Sequence, residues 1–135
     1  MADFLLDTNH ASPLVVAVHP LRRRVLSSLQ AGDTFSIAVP ALTEVLFGIS
    51  LLPRAKSNVE EWENIKPRFN YYIIDRSDAE QATALQIALR RRGRQLATVD
   101  ALIATVALRY DLILLTTDGD FDAIPDLKRA NWLMP

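Results

Sequence analysis

The sequence predicts an α/β domain: a mainly parallel sheet of four to five strands covered by helices on both faces, a three-layer αβα sandwich. Three observations carry this expectation. Short β-like apolar runs alternate along the chain with longer segments of helical period. The length of 135 residues suits one compact domain over residues 1–135 and leaves little room for two. Half of the residues are hydrophobic, enough to bury a sizeable core and too many for a disordered chain. There is no internal repeat, low-complexity tract or Gly/Ser linker.

Each element has its own signal. Phe4-Leu5-Leu6 reads as a first strand. Leu14 to Val18 and Leu21 to Leu29 read as two helices, split at Pro20 because proline lacks the N–H that a helix interior requires. Phe35 to Val39 alternates as a second strand. Pro40 suits the first turn of a helix over Ala41 to Leu52, and a further helix is expected over Ala55 to Phe69, with Val59, Trp62 and Ile65 on one side. Tyr71 to Ile74 reads as the third strand. Ser77-Asp78-Ala79-Glu80 has the S-x-x-E form of a capping box and opens a helix to about Arg92, which Gly93 ends. Thr98 is the expected cap of a helix reaching Tyr110. Leu112 to Leu115 reads as the fourth strand, and Asn131 to Leu133 as a fifth at the edge.

Composition removes several function classes. Cysteine is absent, which excludes a disulfide framework, thiolate chemistry and a Cys-based zinc site, and suits the cytoplasm. Met1-Ala2-Asp3 is acidic rather than the basic start of a signal peptide, and apolar runs such as Val45 to Leu52 fall far short of the ~20 residues that a bilayer requires. The net charge is −1, from 15 Lys and Arg against 16 Asp and Glu, and its distribution says more than its sum. Twelve of the fifteen bases are Arg, the better bidentate partner for phosphate, clustered at Arg22 to Arg24 and at Arg90, Arg91, Arg92 and Arg94. The acids gather near the C-terminus, at Asp118, Asp120, Asp122 and Asp126.

In an open parallel sheet, ligands bind outside the carboxyl ends of the strands, where the crossover helices begin. Four acids satisfy this rule. Asp7 follows the first strand and Asp118 the fourth, with Asp120 close behind; Glu44 and Asp100 lie near the starts of helices. Each has an ordinary structural explanation. Asp7 suits a helix cap, Asp100 a first-turn acid stabilised by the helix dipole, and Asp118 and Asp120 a turn. Two features favour a site. Asp100 shares a helical face with Ile103, Ala104 and Ala107, so it does not lie on the solvated side. Glu44 is the only charge between Ala41 and Leu52, and a carboxylate buried in so apolar a helix requires a cation or donors.

Converging carboxylates repel one another, and some stay protonated unless a cation neutralises them. An all-oxygen ligand set selects a hard ion, Mg2+ or Mn2+. His10 and His19 share no metal-ligand spacing, so zinc is not expected, and His10 reads as a surface or helix-start residue.

Four motifs, in order, carry a resemblance that spans nearly the whole chain. Leu5-Leu6-Asp7-Thr8-Asn9, Ala41-Leu42-Thr43-Glu44-Val45 with Gly48, Val99 to Ala104, and Leu115 to Phe121 resemble the successive acidic motifs of PIN-domain proteins, in particular VapC-type toxins of type II toxin–antitoxin pairs. The resemblance implies a PIN-like fold, a Mg2+- or Mn2+-dependent ribonuclease, a homodimer and a cognate VapB-like antitoxin as partner. By position, Asp7, Glu44, Asp100 and Asp118 would form the acidic quartet, with Asp120 competing for the last place. Thr8, Asn9 and Thr116 match polar positions that line the pocket, and Thr98 stands where many relatives carry Asn or Asp. Asp7 and Asp100 would bind the metal, Glu44 and Asp118 would complete its surroundings, and Asp118 or Glu44 would act as general base toward water.

RNA must also be held. Arg90 to Arg94 end a helix shortly before Asp100 and are candidate phosphate contacts, although Arg suits a solvated helix C-terminus in any case. The apolar pair Leu46 to Leu52 and Val59 to Trp62 reads as core; any exposed part of it would form a groove for an antitoxin helix. Rival folds lack their residues. A phosphoryl-accepting receiver needs paired acids after the first strand and a late lysine, and a haloacid-dehalogenase-type phosphatase needs an acid where Asn9 stands. A catalytically silent PIN-like module that binds RNA or protein is the alternative from another class.

Overall fold

In the computed structural model, which describes residues 1–134, five short strands form one sheet. They are β1 (Asp3–Leu6), β2 (Thr34–Ala38), β3 (Asn70–Tyr72), β4 (Ile113–Leu115) and β5 (Arg129–Ala130), in the order β3-β2-β1-β4-β5. Every pairing among the described residues is parallel, with Leu5 opposite both Ser36 and Leu114. Six helices connect them: α1 (Thr8–Ala11), α2 (Pro20–Gln30), α3 (Val39–Leu51), α4 (Ala55–Ile65), α5 (Arg76–Arg91) and α6 (Thr98–Arg109). The last residue of the expected domain, Pro135, lies outside the described residues.

This order determines where a ligand can sit. The chain steps outward from β1 through β2 to β3, then returns across β1 to β4. Right-handed crossovers running in opposite directions place α1 to α4 on one face of the sheet and α5 and α6 on the other. The reversal opens a crevice between the C-terminal ends of β1 and β4, the switch point at which such sheets bind ligands.

Because both faces are covered, the central strands contribute near-continuous apolar residues. Leu5, Leu6, Phe35, Ile37, Leu114 and Leu115 are completely buried. From α6, Ala101, Ala104 and Ala107 are buried, and their small side chains let its backbone approach the sheet. Each such buried Leu or Ile removes enough apolar surface from water to contribute about 1.5–3 kcal/mol.

Several local expectations are corrected. Leu14 to Val18 is not a helix. The chain instead forms α1 and a 3-10 turn over Ser12–Val15, because Pro13 sits at the start of that turn and His19, preceding Pro20, is held extended. α4 stops at Ile65 rather than Phe69, since Pro67 imposes a 3-10 turn over Lys66–Arg68. The capping box of α5 is Asp75 with Asp78, not Ser77 with Glu80; Ser77 accepts from Gln81, and Glu80 pairs with Arg76. Thr98 is the first residue of α6 rather than its cap, and its hydroxyl accepts from Gln86. β5 lies at Arg129–Ala130, just before the expected Asn131 to Leu133, although it does form the sheet edge.

α3 departs most from expectation. It buries only the stripe Ala41, Val45 and Ile49, leaving Leu46, Phe47 and Leu51 exposed together with Leu52 and Val59. The apolar composition of this helix therefore reflects an outward-facing patch as well as core.

Candidate functional site

Asp7 is the first residue beyond β1 and also caps α1. Its backbone N–H donates to the Leu115 carbonyl at 3.0 Å, extending the β1–β4 ladder into the crevice. Its Oδ1 accepts from the Thr8 N–H at 2.8 Å. Its Oδ2 accepts from the Thr116 hydroxyl at 2.7 Å and from the Asn9 amide at 3.2 Å. The capping reading and the site reading are thus compatible: the bonds that begin α1 also aim the carboxylate.

A buried histidine stands behind this clamp. His10 lies in α1, at the start of a helix as one of its two readings had it, but it is completely buried, which corrects the surface reading. Its Nε2 accepts from the Trp132 N–H at 3.0 Å, so the ring proton resides on Nδ1. Nδ1 therefore donates to Asn9 Oδ1, 2.8 Å away, which also receives the Thr117 N–H at 3.2 Å. With Asn9 Oδ1 doubly occupied, its amide NH2 must face Asp7. Burial lowers the His10 pKa to about 4, so the ring is neutral in ordinary buffers. Trp132, beyond the edge strand, is thereby connected through two side chains to the Asp7 carboxylate.

The remaining acids of the group approach from α6 and from the turn after β4. Thr116 passes its hydroxyl lone pair to the Asp118 N–H at 3.0 Å. Asp118 in turn caps a short 3-10 turn over Gly119–Ala123 through the Asp120 N–H at 2.8 Å. Asp100 lies in the first turn of α6, half-buried. One carboxylate oxygen from each of Asp100, Asp118 and Asp120 lies within 4.8 Å of the others. Burial pushes the Asp100 carboxyl up to about 6, and the negative charges of Asp7, Asp118, Glu44 and Asp120 reinforce the shift. The fold therefore brings all five acids into one electrostatic neighbourhood.

Glu44 belongs to that neighbourhood but is exposed, which corrects the expectation of a buried carboxylate. Position 44 lies outside the buried stripe of α3, so the Glu44 carboxylate is solvated rather than inside the core, while its charge still acts on Asp100.

The donor set fits a hard divalent cation. All five acids offer oxygen, three of them at ligand-sharing distance. The Asp100 carboxyl is raised by burial first and by the neighbouring negative charges second, and a cation would relieve both. Beside Asp7, the Thr8 hydroxyl oxygen is buried without a partner, a further unused oxygen next to this group.

The arginines do not join the acids. Arg90, Arg91, Arg92 and Arg94 are exposed. Arg90 and Arg94 line a separate cleft with Gln86, Gln95 and Leu96, adjoining Thr98 at the start of α6. Arg92 reaches the Ala123 carbonyl, at the end of the turn that Asp118 begins. Arg22 is committed to Glu61 and the Leu14 carbonyl, and Arg24 stacks over Trp132. Sequence reasoning did not find Arg129, which lines a second cleft that shares Asp118 with the acidic group. No motif marks it, because its relation to Asp118 arises only from pairing β5 with β4.

Comparison with known proteins bears on this arrangement. The PIN domain family matches residues 4–127. No curated protein matches the chain. Among solved structures, VapBC2 from Rickettsia felis, bound to a DNA fragment from their promoter, shares the fold with a TM-score of 0.82 at 22% identity, over 96% of this chain and 98% of that one. FitAcB from Neisseria gonorrhoeae matches with a TM-score of 0.74 at 25% identity, over 97% and 99%. A toxin-antitoxin complex from Klebsiella pneumoniae matches with a TM-score of 0.64 at 28% identity, over 90% and 92%.

Proposed function

The chain belongs to the PIN-domain family, and from that membership we propose that it is a Mg2+- or Mn2+-dependent endoribonuclease, the cytoplasmic toxin of a VapBC-type pair. One observation carries the nuclease reading. Asp100 from α6 and Asp118 and Asp120 from the turn after β4 bring their carboxylates within 4.8 Å of one another at the switch point of the sheet, with Asp7 beside them at the end of β1 and Glu44 of α3 near enough to act on Asp100. A structural explanation accounts for each acid singly, whereas repulsion among five has no use in a protein that only binds.

Asp7, Asp100, Asp118 and Asp120 would hold the cation, with Glu44 above them. The bound cation would supply neutralisation of phosphate charge and acidification of a water. The protein's own groups do the rest. Thr116 and Asn9 hold Asp7 so that it presents a fixed oxygen. Asp118 or Glu44 accepts the proton of the attacking water as its oxygen bonds to phosphorus. The bond from phosphorus to the leaving ribose oxygen breaks, and that oxygen takes up a proton from solvent water. Arg90, Arg91, Arg92 and Arg94 would contact flanking phosphates.

The partner reading rests on the exposed apolar face of α3 and α4 and on the structural neighbours being toxin–antitoxin complexes. Such a face suits an antitoxin helix or a second copy in a homodimer. Among the described residues, no helix is long and apolar enough to cross a membrane.

The direct test is cleavage of cellular RNA by antitoxin-free protein. Mn2+ should support cutting and EDTA abolish it, and Asp7→Asn and Asp100→Asn should each lower kcat by at least about 100-fold. Cutting that survives both substitutions overturns the site, and inactive wild type favours a silent RNA- or protein-binding module.

A further inference from the structure

Arg129 stands on the edge strand β5, with its side chain about one-third exposed, and pairs with Asp122 from the turn that follows Asp118. The two flank a cleft of about 510 Å3 at the C-terminal ends of β4 and β5. That volume lies within the roughly 300–1,000 Å3 range of small-ligand sites. The cleft is also lined by Thr117, Asp118, Gly119 and Asn131, so one wall belongs to the acidic group itself.

We propose that this cleft is the subsite for a nucleotide next to the scissile phosphate, and that Arg129 is its phosphate contact; the proposal rests on the nuclease reading above. A polyanion crossing a group of carboxylates requires cations on the approach. Arg129 is the one cation among the residues lining this cleft. Its planar guanidinium presents several donors, so one can remain on Asp122 while another meets phosphate. Asn131 adds a second donor. Its Oδ1 is taken by the Leu133 N–H at 2.9 Å, which leaves its NH2 available for a ribose or base edge.

Asp122 both steadies and restrains the arginine. It holds the guanidinium at the cleft that both residues line, and its own charge opposes an incoming phosphate. Because both partners are solvent-accessible, the pair adds little to stability, and Arg129 can exchange Asp122 for phosphate at small cost. The two residues should thus have opposite effects on substrate affinity, which a purely structural ion pair would not.

The test uses a 5′-fluorescein single-stranded RNA of mixed sequence. Cleavage kinetics are measured in Mn2+, and anisotropy in EDTA over a range of salt, for wild type, Arg129→Gln, Arg129→Lys and Asp122→Asn. Arg129→Gln should raise KM and Kd by about 5–10-fold with kcat within about two-fold, and should reduce the slope of log affinity against log salt by about 0.7, as expected for one single-strand phosphate contact. Arg129→Lys should recover part of the loss, and Asp122→Asn should lower KM. Melting temperatures close to wild type exclude a folding explanation. Unchanged KM, Kd and salt slope in Arg129→Gln overturn the subsite whether or not the wild type cuts. A rise in KM for Asp122→Asn equal to that of Arg129→Gln overturns the restraining role. Wild type that binds through Arg129 but never cuts supports the cleft and overturns the nuclease reading alone; wild type that neither binds nor cuts overturns both.

Discussion

At the scale of single residues, the site is a balance between repulsion and fixation. Asp100 carries the cost of burial and, added to it, the repulsion of its neighbours. Its folded pKa of about 6 lies above the ordinary aspartate value of 3.8, so the native state binds the proton more tightly than the unfolded chain does. The associated stability is complete below pH ~4 and is lost as pH rises to about 6. Metal-free wild type should therefore melt several degrees below Asp100→Asn at pH 7.5 and close to it at pH 4. Mn2+ should raise the wild type at pH 7.5 and leave Asp100→Asn nearly unmoved; calorimetry reads both. His10 carries the fixation. His10→Leu would leave the Trp132 N–H without its acceptor and Asn9 Oδ1 with only the Thr117 N–H, costing about 1–3 kcal/mol in a urea titration.

At the scale of elements, the terminations matter as much as the cores. α5 ends where Gly93 turns left-handed at φ 73°, and nothing lies within 4 Å of where its Cβ would be. Gly93→Ala should thus cost only the conformational penalty, about 1 kcal/mol, seen as a shifted urea midpoint with an unchanged slope. The start of α6 is packed against α5 through Gln86, which donates to the Leu96 carbonyl and to Thr98. The far end of α6 is pinned by Arg109, which bonds Asp75 and the buried Asp78 at the start of α5. These ties raise the Arg109 pKa, so the cation persists at every working pH. Fixing α6 at both ends sets the height at which Asp100 meets Asp118.

At the scale of the molecule, one edge of the sheet holds the candidate site and one helical face is left uncovered. Leu46, Phe47, Leu51 and Val59 form an apolar surface of the kind that proteins cover with a partner. Phe47→Asp combined with Leu51→Glu should leave the far-UV circular dichroism of the monomer unchanged, since both side chains are exposed in the single chain. The same variant should shift the proposed dimer toward monomer in sedimentation and weaken capture by a co-expressed antitoxin. A variant that loses its fold instead would show that this face is core.

The order of strands and helices was legible because periodicity and breakers are local properties of a chain. Pro20, Pro40 and Gly93 punctuate the fold as a reader of the sequence would place them. The acids were legible because parallel sheets deliver strand-end residues to one edge. Three things were not. The exposure of Glu44 depends on which stripe of an apolar helix turns inward, and apolarity alone does not choose. The role of His10 depends on a backbone N–H 122 residues away. The cleft holding Arg129 exists only because β5 pairs with β4 beyond Asp118. Sequence determined which carboxylates face one edge, since alternation and topology act along the chain. Tertiary structure decided which groups aim and flank them, since those bonds join residues with no local signal of each other.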